Sequence, residues 1–178
     1  MKITTLQGRS SANTSTNNIK LPAAFTKITP RGHICDYGCG KYTDHIRTHC
    51  DFSGALSYNP YDPYNQEKFV NESTKRMAQN HGFDMVYCCN VLNVIDNPEA
   101  IFDILCEMIK WCNVYGTLVI QIYEGDKSGI GKETKFDCWQ RNEKTEEYIK
   151  YIDRAFKWFK ESYSLERKSN ILIIKLEG

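Results

Sequence analysis

Seven consecutive residues, Phe83-Asp84-Met85-Val86-Tyr87-Cys88-Cys89, constrain the fold of this chain most strongly. The run is almost continuously apolar, as expected for a strand covered on both faces and therefore for a sheet sandwiched between other layers. Its neighbours alternate in type. Short strands are predicted over 33–36, 54–58 and 116–123, and helices over 42–50, 66–80 and 98–112. Asp96-Asn97-Pro98-Glu99 reads as a helix start, with Ile101, Ile104, Leu105 and Ile109 at helical spacing behind it. An amphipathic helix over 146–159 buries Tyr148, Ile149, Ile152, Ala155, Phe156 and Phe159. A hairpin of strands 162–167 and 170–176, turning near Lys168-Ser169, closes the chain. This order specifies an α/β fold: an open, mostly parallel sheet with an antiparallel C-terminal hairpin. Pro60 and Pro63 are expected to break the second strand, and 124–142 reads as one long glycine- and charge-rich loop.

The 178 residues fit one domain, predicted over 26–178, behind a polar arm over 1–25. The arm contains Ser10-Ser11-Ala12-Asn13-Thr14-Ser15-Thr16-Asn17-Asn18 and has no period of either kind. It reads either as a mobile tail or as an arm that orders over a ligand through Arg9 and its hydroxyls. Lys and Arg number 23 against 22 Asp and Glu, so no global charge argues for nucleic acid or an anionic membrane, although a local basic face is compatible with this balance. No segment has the length and apolarity of a membrane span or a signal peptide, and the expected location is cytoplasmic. The eight cysteines, two of them adjacent at Cys88-Cys89, lack a secreted disulfide pattern and read as reduced thiols. Cys35, Cys39, His45 and His49 imitate a zinc motif, but the five residues between the halves fall well short of the roughly twelve of a Cys2His2 finger. No metal site is assigned.

The chemistry concentrates where predicted strands end, which is where ligands bind in open α/β sheets. Ile34-Cys35-Asp36-Tyr37-Gly38-Cys39-Gly40 is a short strand that ends in an acid and a Gly-x-Gly turn. Glycines there let the backbone turn tightly and a ligand come close. A dinucleotide fingerprint would need a third glycine where Thr43 stands. Gly125 to Lys132 narrowly misses a nucleotide phosphate loop, with five residues between its glycines and Glu133 in place of Ser or Thr.

Asp36-x-Gly38-x-Gly40 resembles the first motif of class I S-adenosylmethionine-dependent methyltransferases. In that family the glycines pass under the methionine moiety and the acid helps to position it, which implies cofactor-binding roles for Asp36, Gly38 and Gly40. The segment from Asp84 through Asn90-Val91-Leu92-Asn93-Val94-Ile95 is similar to the family's fourth-strand motif. Its phrase is closest to phage-borne and DNA-phosphorothioation-associated members. The resemblance places Asn90 and Val91 beside the sulfonium. A ribose-binding acid is expected about twenty residues past the glycine turn; Asn59 stands at the predicted strand end, and Asp62 is the alternative if the proline-flanked turn folds back. The stretch 68–82, where the family has a third strand, matches poorly, so no adenine-binding residue is assigned. Glu124, Asp126 and Trp139, in the loop after the 116–123 strand, are substrate-side candidates.

The resemblance implies a Rossmann-like methyltransferase fold, S-adenosylmethionine as cofactor, and methyl transfer to an unidentified small-molecule or compact macromolecular acceptor. The alternative is a non-catalytic module on the same fold that binds S-adenosylmethionine or another protein.

Overall fold

The computed structural model describes residues 20–135 and 138–178. The serine- and asparagine-rich run 10–18 and Arg9 lie outside the described residues. The elements are α1 (Ala23–Lys27), β1 (His33–Tyr37), α2 (Asp44–Phe52), β2 (Ser57–Tyr61), α3 (Lys68–Asn80), β3 (Phe83–Cys89), α4 (Pro98–Trp111), β4 (Cys112–Gln121), β5 (Lys132–Lys135), β6 (Cys138–Gln140), α5 (Ile149–Phe159), β7 (Ser162–Lys168) and β8 (Ile171–Glu177), with short 3-10 turns at Leu92–Val94 and Thr145–Tyr148. Six strands form one sheet in the order β2-β1-β3-β4-β8-β7. The first four are parallel, and β8 and β7 run antiparallel. The predicted α/β architecture and closing hairpin are therefore present.

Strand alternation sorts the core into two halves. Val86, Cys88, Leu118 and Ile120 face a layer built from α3, α4 and α5, where Leu105, Met108, Ile152 and Phe156 are buried. Tyr87, Val119 and Ile173 face the other way, toward α1 and α2. Covering both faces is what makes β3 and β4 apolar along their length. On the second face Phe25 stacks on Tyr87, with ring centroids 4.1 Å apart and planes at 13°. Ala24 and Phe25 are fully buried, so the residues at the 25/26 boundary belong to the core. At the start of α4, Asn97 accepts a hydrogen bond from the Glu99 N–H and Pro98 occupies the first turn, the capping arrangement expected there.

Two expectations are corrected. The second strand lies at Ser57–Tyr61, three residues beyond 54–58, and it contains Pro60. It can do so because β2 is the edge strand. Thr74 Oγ1 donates to Pro60 O (2.7 Å), Asn71 Oδ1 accepts from Asp62 N (2.9 Å) while its Nδ2 donates to Asp62 O (2.9 Å), and Arg47 Nη1 donates to Tyr58 O (3.4 Å). Helix side chains thus meet backbone groups that β1 does not. The stretch 68–80 is helix α3, which leads directly into β3, and among the described residues no strand flanks β2 on its outer side. The second correction concerns 124–142, which holds an antiparallel ribbon, β5 paired with β6, instead of a plain loop. No helix among the described residues is long and apolar enough to cross a membrane.

Candidate functional site

β1 ends at Tyr37, and the chain turns at once. Gly38 and Gly40 both have φ of +74°, a backbone region that residues with a Cβ rarely adopt. Gly38 N donates to Tyr61 O at 2.7 Å, pinning the turn to the end of β2. A Cβ built on Gly38 would lie 2.3 Å from Val91 Cγ2. The space above this glycine is therefore taken by the segment after β3, and Gly38 serves the approach of Val91.

Two carboxylates border the turn. Asp62, the first residue past β2, is 4% exposed and accepts four bonds: from Gly40 N (3.0 Å) and Asn65 Nδ2 (3.1 Å) at one oxygen, and from Tyr64 N (2.9 Å) and Asn65 N (3.0 Å) at the other. Asp36 is more buried, at 2% exposed, and less satisfied. Tyr58 Oη donates to its Oδ2 at 2.7 Å, and Oδ1 has no hydrogen-bond partner among the described residues. Burial pushes the Asp36 carboxyl up to about 7, with the Tyr58 bond opposing the shift and the negative Asp62 adding to it.

Asn90, the first residue past β3, also adopts a left-handed conformation (φ +60°). Asn90 N donates to Gln121 O (2.8 Å) and Gln121 Nε2 donates to Asn90 Oδ1 (3.3 Å). Gln121 Oε1 in turn accepts from Ala24 N at 2.7 Å. One amide at the end of β4 thus couples α1 to the end of β3. Further along, Asn93 Nδ2 donates to Gln140 Oε1 (3.2 Å) and Gln140 Nε2 to Tyr123 O (2.9 Å), which fastens β6 beside the 3-10 turn.

These groups line a cleft of about 1070 Å³ at the carboxyl ends of β1 and β3. In this sheet β2 and β3 leave β1 on opposite sides, and such a switch point is the expected ligand crevice of an open α/β fold. Of the predicted residues, Asp36, Gly38, Asp62, Asn90, Val91 and Trp139 line the cleft. Gly40 adjoins it through its bond to Asp62.

Three candidates do not line it. Asn59 lies inside β2, where Nδ2 donates to Ile34 O (3.1 Å) and Ser57 Oγ (2.8 Å). Glu124 accepts from Thr145 N (2.8 Å) and Oγ1 (2.7 Å), and Lys127 lies 3.0 Å from its second oxygen. These bonds hold its carboxyl down at about 2. Asp126 is half-exposed and pairs with Lys132 at 2.8 Å. Both acids organise the loop and are not part of the cleft lining. Sequence reasoning missed Tyr42, His45 and Gln140, which line the cleft, and Gln121, which stands behind Asn90. Among the described residues no group of three or more His, Cys, Asp or Glu side chains is placed to hold a metal ion.

No protein-family model and no curated protein sequence matches the chain. Solved structures do match. An S-adenosylmethionine-dependent methyltransferase from Clostridium acetobutylicum ATCC 824 superposes with a TM-score of 0.53 over 83% of this chain and 85% of its own, at 13% identity. The sugar N-methyltransferase KedS8 from Streptoalloteichus sp ATCC 53650 gives 0.54 over 88% and 84%, at 10% identity. The fold is that of S-adenosylmethionine-dependent methyltransferases. Streptomyces venezuelae DesVI is similar too, with a TM-score of 0.54 over 84% of this chain and 85% of that one, at 8% identity. At these identities the likeness is one of fold.

Proposed function

We propose that this chain is an S-adenosylmethionine-dependent methyltransferase whose cofactor occupies the cleft at the ends of β1 and β3 and whose acceptor is a small molecule or a compact macromolecule. The observation that carries the reading is Asp36: a buried carboxylate with an unpartnered oxygen, lining a cleft at the sheet's switch point beside a Gly-x-Gly turn. That oxygen opens onto the cleft, so a cationic or N–H-bearing ligand bound there can reach it. The residues present therefore fit the cofactor.

Asp36, Gly40, Asn90 and Val91 would hold it, with Gly38 admitting Val91 and Asp62 keeping the turn in shape. When bound, the cofactor supplies an electrophilic methyl on a sulfonium. The chain's own work is alignment: holding acceptor and methyl in line makes the displacement effectively unimolecular. Tyr123, Trp139 and Gln140 border the same cleft on the β5–β6 side and would shield the acceptor from water. No dedicated nucleophile is required, which agrees with the placement of Glu124 and Asp126 outside the lining.

Calorimetry with S-adenosylmethionine tests the premise, since no heat of binding would remove both this reading and its alternative. That alternative, a module that binds the cofactor without turnover, is favoured by one observation. Asp62, the acid at the end of β2, already has its acceptor sites filled by protein donors, and the ribose hydroxyls gain no free carboxylate there. Release of S-adenosylhomocysteine with any member of an acceptor panel decides for the enzyme.

A further inference from the structure

A second hollow, of about 570 Å³, opens at the other ends of the same strands, beside Gly32, Asp84 and Thr117. Its floor is apolar, made by Ile28, Met85 and Ile173. Lys27, Arg31, Lys168 and Lys175, all exposed, stand around it. The single acid in the lining, Asp84, is already engaged: its oxygens accept from His33 N (2.7 Å) and Asn113 Nδ2 (3.2 Å). Lys168 lies 3.3 Å from Glu166, whereas Lys27, Arg31 and Lys175 have no ion-pair partner among the described residues. In a chain with a formal net charge of +1, four cations, one of them paired with Glu166, about the occupied carboxylate of Asp84 make a local concentration of positive charge.

The place of the hollow is also informative. Residues 20–31 run along the α1 face from Lys20, which lines the cleft, to Arg31 at the hollow. The five residues of β1 separate the two sites, a span of roughly 13–17 Å, comparable to a few nucleotides of extended strand.

We propose that this hollow binds the backbone of a single-stranded nucleic acid, with phosphates on Lys27, Arg31, Lys168 and Lys175 and an unstacked base over the apolar floor. An enclosed site with converging buried donors would suit a small phosphate. Here the charges sit on long, exposed stems around an open basin, which suits several phosphates held as point charges. A duplex would keep its bases from the floor. The assignment does not depend on the cofactor reading.

The test is fluorescence anisotropy of the full chain with a labelled single-stranded oligonucleotide across a salt series. Wild type should bind with an affinity that falls steeply as salt rises. The triple variant Lys27→Ala/Arg31→Ala/Lys175→Ala should bind at least tenfold more weakly at low salt, with the slope of log K against log salt flattened by about 2, at ~0.7 per lost phosphate contact. Its melting profile and its response to S-adenosylmethionine should match wild type, which separates loss of this surface from loss of fold or of the cofactor site. Absence of wild-type binding, or an unchanged affinity and slope in the triple variant, overturns the proposal. So does equally tight binding of length-matched polyglutamate, which would make the basin a docking site for acidic peptides, or full displacement of the oligonucleotide by millimolar inorganic phosphate.

Discussion

Asp62 receives the N–H groups of Gly40, Tyr64 and Asn65 together with the Asn65 amide, whereas Asp36 receives only the Tyr58 hydroxyl. The two acids should therefore respond differently to removal. Asp62→Ala should destabilise the protein by about 2–4 kcal/mol in denaturant unfolding, because several buried donors lose one shared acceptor. Asn59→Ala should cost about 0.5–1.5 kcal/mol and leave affinity for S-adenosylmethionine unchanged; a large loss of affinity would return Asn59 to the cofactor site. Asp36 titrates at about 7 when folded, against an ordinary carboxylate value when unfolded, so between roughly pH 4 and 7 the folded state binds the extra proton. The stability that this proton confers is complete at low pH and is lost as pH rises through 7. Asp36→Asn should remove that loss, of which up to about 2–3 kcal/mol falls between pH 5 and pH 8, where urea unfolding measures it. The cofactor should show the opposite trend. A cation beside Asp36 favours the ionised carboxyl, so affinity for S-adenosylmethionine should climb from pH 6 to 8 in wild type and stay flat in Asp36→Asn.

At the scale of elements, the site is a meeting of two strand ends, and Gly38 against Val91 is where they touch. Gly38→Ala should lose about 2–4 kcal/mol of stability, from strain at positive φ and from the clash with the Val91 methyl. Combined with Val91→Ala, the loss should shrink by about 1 kcal/mol or more relative to the sum of the single variants. An additive cycle would mean that backbone strain alone demands the glycine. The elements that could be read in advance were those whose cause is local. The apolar run of β3, the Asn97-Pro98 start of α4 and the Gly-x-Gly turn each state their conformation within a few residues. Others depend on distant partners. Pro60 reads as a strand breaker until β2 is known to be the edge, and the strand then runs through Asn59 to Tyr61, with Asp62 just past it. The bonds of Thr145 to Glu124 join residues that the sequence does not show to be neighbours. Gln121 gains its meaning only from Ala24, 97 residues away in sequence.

Taken whole, the molecule is a mostly parallel sheet between two helical layers, with the cleft proposed for the cofactor at one end of its strands and the basic basin at the other. The sheet stops at β2, and the manner of its stopping matters beyond the fold. The free side of an edge strand is a template on which a strand of another molecule can pair. Here Pro60 has no N–H to offer, Thr74 occupies its carbonyl, and the Asn71 amide bonds both backbone groups of Asp62 as a neighbouring strand would. A foreign strand arriving at β2 would have to displace Thr74 and Asn71 of α3 to pair beyond Tyr58, so this margin of the sheet resists both edge-to-edge aggregation and capture of a partner's β-strand.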